Sequence, residues 1–141
     1  MTVQRIDHVH LEVADRHTAA AWYARILDLS PAPDLATWAE DPKSPLILQT
    51  KDGAPCLSLF ARPPRPISRD TTIAFRTDGP AFLAFCDRLP LDTLNRPDGR
   101  ALTRADVVDH QMSWSLYFTD PDGNRLELTS YDDALLRPAF S

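Results

Sequence analysis

The stretch that decides the fold lies near the end of the chain: Ser115-Leu116-Tyr117-Phe118-Thr119-Asp120-Pro121-Asp122-Gly123-Asn124-Arg125-Leu126-Glu127. Two runs of alternating polar and apolar residues flank a segment built from Asp, Pro, Gly and Asn. Alternation marks strands, and that central composition marks a tight turn. The spacing predicts strands over 113–119 and 125–131, with Glu127 on one face and Leu126 and Leu128 on the other.

Working backwards, residues 71–77 (Thr-Thr-Ile-Ala-Phe-Arg-Thr) read as a strand. Asp78 is a good N-cap, with Pro80 tolerated in the first turn that follows. Phe82, Phe85 and Leu89 form the apolar stripe of that helix, and Pro90 is expected to end it. A further strand is expected over 101–108.

The same order occurs earlier in the chain. Residues 5–13 alternate, with Ile6, His8, His10 and Glu12 on one face and Val9, Leu11 and Val13 on the other. Asp15 caps a helix through about Leu27, with Ala20, Tyr23 and Leu27 as its stripe, before Ser30-Pro31. Strands are expected over 34–39, 45–50 and 55–61, the last two joined at Lys51-Asp52-Gly53. The Pro- and Arg-rich connector 62–69 disfavours helix and central strand, so it is the best internal boundary.

Each half thus reads strand, helix, three strands. Ile6-Asp7-His8-Val9 aligns with Asp70-Thr71-Thr72-Ile73, and Leu57-Ser58-Leu59 aligns with Leu126-Glu127-Leu128 at a slightly longer offset that loops absorb. This is a duplicated supersecondary module, not a solenoid period. The expected architecture is a single α+β domain over 1–141. It has two βαβββ modules, about 4–62 and about 70–132, a short C-terminal tail, and a curved mixed sheet around a cleft. The alignment nominates four positions that face the cleft: His8, Ser58, Thr72 and Glu127.

Composition bounds the function. Hydrophobic residues at 43% and charged residues at 25% suit one globular domain with a real core. The net charge of -5, with no basic face, argues against nucleic acid as the main partner. No apolar run approaches the ~20 residues that span a bilayer, and the N-terminus leads straight into a strand pattern, so a cytoplasmic location is expected. Cys56 and Cys86 make no CxxC pair and read as buried free thiols. Lysine is confined to Lys43 and Lys51 while Arg, Ala and Pro are common, which fits a GC-rich bacterial genome.

The quoted segment resembles the vicinal oxygen chelate superfamily, which includes glyoxalases, extradiol dioxygenases, fosfomycin-resistance enzymes and bleomycin-binding proteins. So do Ile6-Asp7-His8-Val9-His10-Leu11-Glu12-Val13, the Asp15 helix with Trp22-Tyr23, and Ile73-Ala74-Phe75. The resemblance covers nearly the whole chain. It implies that His8 and Glu127 ligate a divalent ion (iron, manganese, zinc or nickel) that chelates two adjacent oxygens of a small-molecule substrate. A further histidine usually opens the second half; here Thr72 stands there. A glutamate can close the first half; here it is Ser58. His110 and Tyr117 match the extradiol dioxygenase segment in which a histidine and a tyrosine act, so they are the candidate acid/base residues.

The candidate substrate-binding residues are His10, on the His8 face, together with Ser58, Thr72 and Arg76. Trp38 and Trp114 are packing residues or the walls of an apolar pocket. The structural alternatives are plain: His8 as a core histidine, Glu127 as a solvated strand residue, His110 as a loop residue and Tyr117 as a half-buried aromatic. At the level of function, a metal-dependent enzyme competes with a metal-free, bleomycin-resistance-like sequestering protein and with a regulatory domain carrying a degenerate site. The resemblance also implies a homodimer, since similar folds often build clefts across an interface.

Overall fold

A computed structural model describes residues 1–64, 66 and 71–141. The connector residues 65 and 67–69, and Asp70 of the internal alignment, lie outside the described residues. The chain divides into two compact units, Met1–Pro66 and Ile67–Ser141.

The first unit runs β1 (Val9–Val13), α1 (Arg16–Leu27), β2 (Ser30–Pro31), α2 (Ala36–Glu40), β3 (Leu46–Gln49) and β4 (Pro55–Ala61). Its sheet has the order β1-β4-β3-β2, with β1 parallel to β4 and the other pairs antiparallel. Asp15 caps α1 as the sequence predicts, accepting from the Thr18 N–H at 2.7 Å. Tyr23, Ala19, Ala20 and Ile26 of α1 are buried with Leu48, Leu57 and Leu59 of the sheet. Ile26 takes the inward position expected of Leu27, which is half-buried.

Two expectations are corrected here. β1 begins at Val9, so residues 5–8 lie outside the strand. Its neighbour β4 begins at Pro55, and Val9 pairs with Leu57, so little strand remains to pair with an earlier start. The strand expected over 34–39 is instead a 3-10 turn, Pro33–Leu35, followed by α2. Proline at the turn's start favours helical φ. Arg16, 7% exposed, then holds the segment in place by donating to the carbonyls of Ala39, Asp41 and Ser44 at 3.0, 3.3 and 2.6 Å. The edge strand is β2, where a proline is tolerated.

The second unit repeats the plan with β5 (Thr72–Arg76), α3 (Gly79–Asp92), β6 (Val108–Asp109), β7 (Trp114–Thr119) and β8 (Arg125–Ser130), and adds α4 (Asp133–Phe140). Its order, β5-β8-β7-β6, is the same, with β5 parallel to β8. The registers also repeat: His10 pairs with Ser58 in one sheet, and Ala74 with Glu127 in the other. The expected α+β class, two βαβββ modules each built on a mixed sheet, is what the chain forms.

Asp78 caps α3, accepting from the Ala81 N–H at 2.9 Å. The helix passes through Pro90 and ends at Thr93, which adopts φ 49. Proline's own φ is helical, so two more residues follow it before the left-handed cap. The strand expected over 101–108 is reduced to Val108–Asp109. Thr103 and Asp106 form a reciprocal capping box there and wind Arg104–Asp106 into a 3-10 turn. Residues 133–140 are helical, and α4 packs on α3 through fully buried Leu136 and through Phe140, edge-on to Phe82 at 6.2 Å. No helix among the described residues is long and apolar enough to cross a membrane.

Candidate functional site

Strand alternation sorts the second sheet into two faces. Trp114, Leu116 and Phe118 of β7, with Leu126 and Leu128 of β8, are buried on one face, and Phe118 meets Phe85 of α3 at 5.5 Å. The opposite face is polar and reads in register as three rows. Thr72, Arg125 and Thr119 form one; Ala74, Glu127 and Tyr117 the next; Arg76, Thr129 and Ser115 the third. Each row is a set of cross-strand neighbours, whose side chains are within reach of one another.

The turn that delivers β8 is held from within. Asp120, 3% exposed, accepts from the N–H groups of Asp122 and Asn124 at 2.9 and 2.8 Å and from Asn124 Nδ2 at 2.8 Å. Gly123 supplies φ 86, a conformation that favours glycine. This carboxylate-centred turn aims Arg125 and Glu127 at the polar face.

A hydrogen-bonded chain runs across that face. His110 Nε2 lies 3.0 Å from the Tyr117 hydroxyl. Tyr117 stands directly across from Glu127 on the neighbouring strand, where the carboxylate acts on its hydroxyl. Ser115 Oγ donates to Glu127 Oε1 at 2.7 Å and lies 3.0 Å from Thr129 Oγ1, which reaches the Trp114 carbonyl at 3.3 Å. Ser115 is fully buried, Tyr117 and Glu127 half-buried and His110 exposed, so the chain leads from the sheet to solvent. Burial first, then the Glu127 charge, raises the Tyr117 pKa above the ordinary phenol value. The arrangement can hold and pass a proton at Tyr117 Oη.

The structure therefore joins Tyr117, His110 and Glu127. Thr72 is half-buried on the same face, beside Arg125. Arg76 shares the face by register, but its guanidinium stands 4.9 Å from the centre of the Tyr131 ring, at a cavity of about 460 Å³.

In the first unit, His10 pairs with Ser58, which also pairs with Ile47. The His10 ring packs on Phe60 with centroids 4.2 Å apart, and Ser58 is 2% exposed. His8, just ahead of β1, is exposed, with Nδ1 2.7 Å from Asp7 Oδ2. By equivalence of register, Ile47 stands where the second unit has Tyr117, and Ser58 where it has Glu127.

Ser115, Thr129 and Arg125 were not among the sequence candidates. The period-two pattern of the quoted segment, read from Tyr117 and Glu127 in both directions, is the signal that finds them. Trp114 is a packing residue: it stacks on Phe140 at 5.5 Å and donates to Asp133 at 2.9 Å. It also lines a cavity of about 560 Å³ with Arg104 and Arg137, on the face away from Glu127. Trp38 is 50% exposed.

Among the described residues, no group of three or more His, Cys, Asp or Glu side chains is placed to hold a metal ion. A catalytic divalent ion usually takes three protein donors and keeps an open position. Thr72 and Ser58 offer neutral hydroxyls, and one oxygen of Glu127 already accepts from Ser115. The donors within either unit do not by themselves fit a complete metal site.

Comparison with known proteins agrees with this architecture. Residues 5–128 match the model of the Glyoxalase/Bleomycin resistance protein/Dioxygenase superfamily, and the chain belongs to that superfamily. Among solved structures, it is similar to the oxidase ChaP-H2, at 22% identity and TM-score 0.66, covering 92% of this chain and 94% of that one. A glyoxalase/dioxygenase from Nostoc punctiforme is also similar, at 22% identity and TM-score 0.65, with 91% of each chain covered. So is a glyoxylase/bleomycin resistance protein/dioxygenase domain from Frankia sp. EAN1pec, at 19% identity and TM-score 0.66, covering 92% and 93%. At these identities the likeness speaks to the fold alone. Among curated proteins, none matches the chain.

Proposed function

We propose that the chain is a small-molecule enzyme of this superfamily, in which Tyr117 transfers a proton to a ligand bearing adjacent oxygen atoms. The observation that carries this reading is the 3.0 Å contact between His110 Nε2 and the Tyr117 hydroxyl, with Tyr117 directly across from Glu127. An ordinary phenol is protonated at neutral pH and the upward shift leaves it so; Tyr117 therefore enters the reaction as a donor. His110, exposed to water, returns the proton. Glu127, fixed by Ser115, supplies the negative charge that holds the phenol hydrogen in place. Ser58, Thr72, His10 and Arg76 are the proposed ligand contacts, and a dioxygenase-like or glyoxalase-like reaction is the proposed class.

His8 and Glu127 are the pair proposed to ligate a divalent ion, which would act as a Lewis acid on the adjacent oxygens. Two protein donors fall short of the usual set of three. A second reading has its own support. A hydroxyl at Thr72, and a Glu127 already hydrogen-bonded by Ser115, suit a metal-free site that sequesters a ligand. A homodimer is proposed on the resemblance, and light scattering on the purified protein tests the oligomer.

Metal analysis combined with turnover decides between the two readings. Stoichiometric metal that is lost in both His8→Ala and Glu127→Ala supports the enzyme; full occupancy unchanged in both removes these residues from the ligand set. With catechol and 2-oxoaldehyde substrates, Tyr117→Phe is expected to lower turnover by about a hundredfold or more while ligand affinity stays. Ligand binding with neither metal nor turnover supports sequestration instead.

A further inference from the structure

Arg125 lies on the Glu127 face of β8, two residues away, in the row with Thr72 and Thr119. It is half-buried, and its guanidinium sits over the Tyr117 ring, 5.7 Å from the centroid. A cation over a ring face is held there by the ring's electrons, so less freedom is lost when its N–H groups meet an acceptor. A fixed cation thus stands one row from the carboxylate and the phenol, with a threonine on the neighbouring strand at either side.

The charges on this face explain what such a cation is for. Glu127 repels any anionic ligand that approaches Tyr117, and in a half-buried site that repulsion is stronger than in water. A neutral ligand needs nothing to offset it. An anionic one needs a cation within the same row spacing, and the guanidinium is the side chain whose fork matches a carboxylate.

We propose that Arg125, flanked by Thr72 and Thr119, is an anion-binding subsite that selects ligands carrying a carboxylate beside their vicinal oxygens. The inference rests on the reading of Tyr117 and Glu127 as a small-molecule site and adds the charge of the ligand to it.

Catechol and its carboxylated analogue protocatechuate are the probes, since they share the vicinal hydroxyls and differ by one carboxylate. Titration calorimetry on the full chain as purified is expected to show protocatechuate bound about tenfold tighter or more, the scale of one charge-assisted contact. Arg125→Gln is expected to bring the two probes to equal affinity, and Arg125→Lys to retain part of the preference. Circular dichroism confirms folding, and Arg125→Lys carries the test alone if Arg125→Gln does not fold. Equal affinities in the parent chain, or a full preference that survives both substitutions, overturns the subsite and leaves the Tyr117 reading standing. Failure of both probes to bind the parent chain overturns the vicinal-oxygen reading and the subsite together.

Discussion

Tyr117 faces Glu127 directly across the β7–β8 pair, so its phenol is held between a carboxylate on its own sheet and the imidazole of His110, 3.0 Å away. The pair explains why the phenol keeps its proton: burial and the adjacent negative charge both disfavour phenolate.

That shift has a sign that can be measured. A group whose folded pKa is raised contributes stability that is fully present below its unfolded value, here 10.0, and is lost as pH climbs through the folded value. Tyr117→Phe is expected to flatten the alkaline fall in stability. Urea midpoints for the parent and the variant, compared from neutral pH upward, check it; parallel curves contradict the assignment.

Ser115 is fully buried and donates to Glu127 at 2.7 Å. Ser115→Ala removes that donor and leaves Thr129 Oγ1 without its neighbour. Because Glu127 is half-buried and regains water, the expected loss is about 1–2 kcal/mol by denaturant unfolding. The same variant frees the carboxylate, so turnover is expected to fall with little change in the fold as read by circular dichroism.

Asp120 carries more weight. Its buried carboxylate collects two backbone N–H groups and the Asn124 amide in the turn that aims β8. Asp120→Ala strands those donors and is expected to cost about 2–4 kcal/mol, since charged hydrogen bonds to buried groups are lost together. Asp120→Asn keeps the volume and one acceptor oxygen and is expected to fall between. Chemical denaturation of the three proteins orders them.

Much of this was legible in the chain before any coordinates. The duplicated strand-helix-strand pattern gave both sheets, and the alignment of Ser58 with Glu127 reappears as matching registers opposite His10 and Ala74. Caps were legible because Asp15 and Asp78 act locally, through N–H groups three residues on. The 34–39 segment was not, because its helix is held by Arg16, a long-range contact that no local pattern carries. The role of Tyr117 and His110 was suggested by resemblance, whereas Ser115, Thr129 and Arg125 emerge only when strand register places them beside Glu127.

Leu136 tests whether α4 belongs to the folded unit. It is fully buried on α4, the helix that packs on α3 and whose Phe140 stacks on Trp114. Leu136→Ala is expected to destabilise by about 2–5 kcal/mol, the range for a cavity in a packed core. Thermal unfolding reads the loss; a change under about 0.5 kcal/mol, the scale of surface substitutions, detaches α4 from the cooperative unit.

The two thiols differ in a way that alkylation resolves. Cys86, buried on α3, has its pKa pushed up to about 11 by desolvation, so almost none of it is thiolate at neutral pH. Cys56 on β4 is half-buried and is shifted upward by the same cause. Since the thiolate is the reacting form, iodoacetamide at neutral pH is expected to modify Cys56 slowly and Cys86 only after unfolding. Mass spectrometry with and without denaturant counts the adducts. Both thiols lose their protection in the unfolded chain, so equal rates in denaturant are the internal control. Rapid modification of Cys86 in the native protein contradicts its burial on α3.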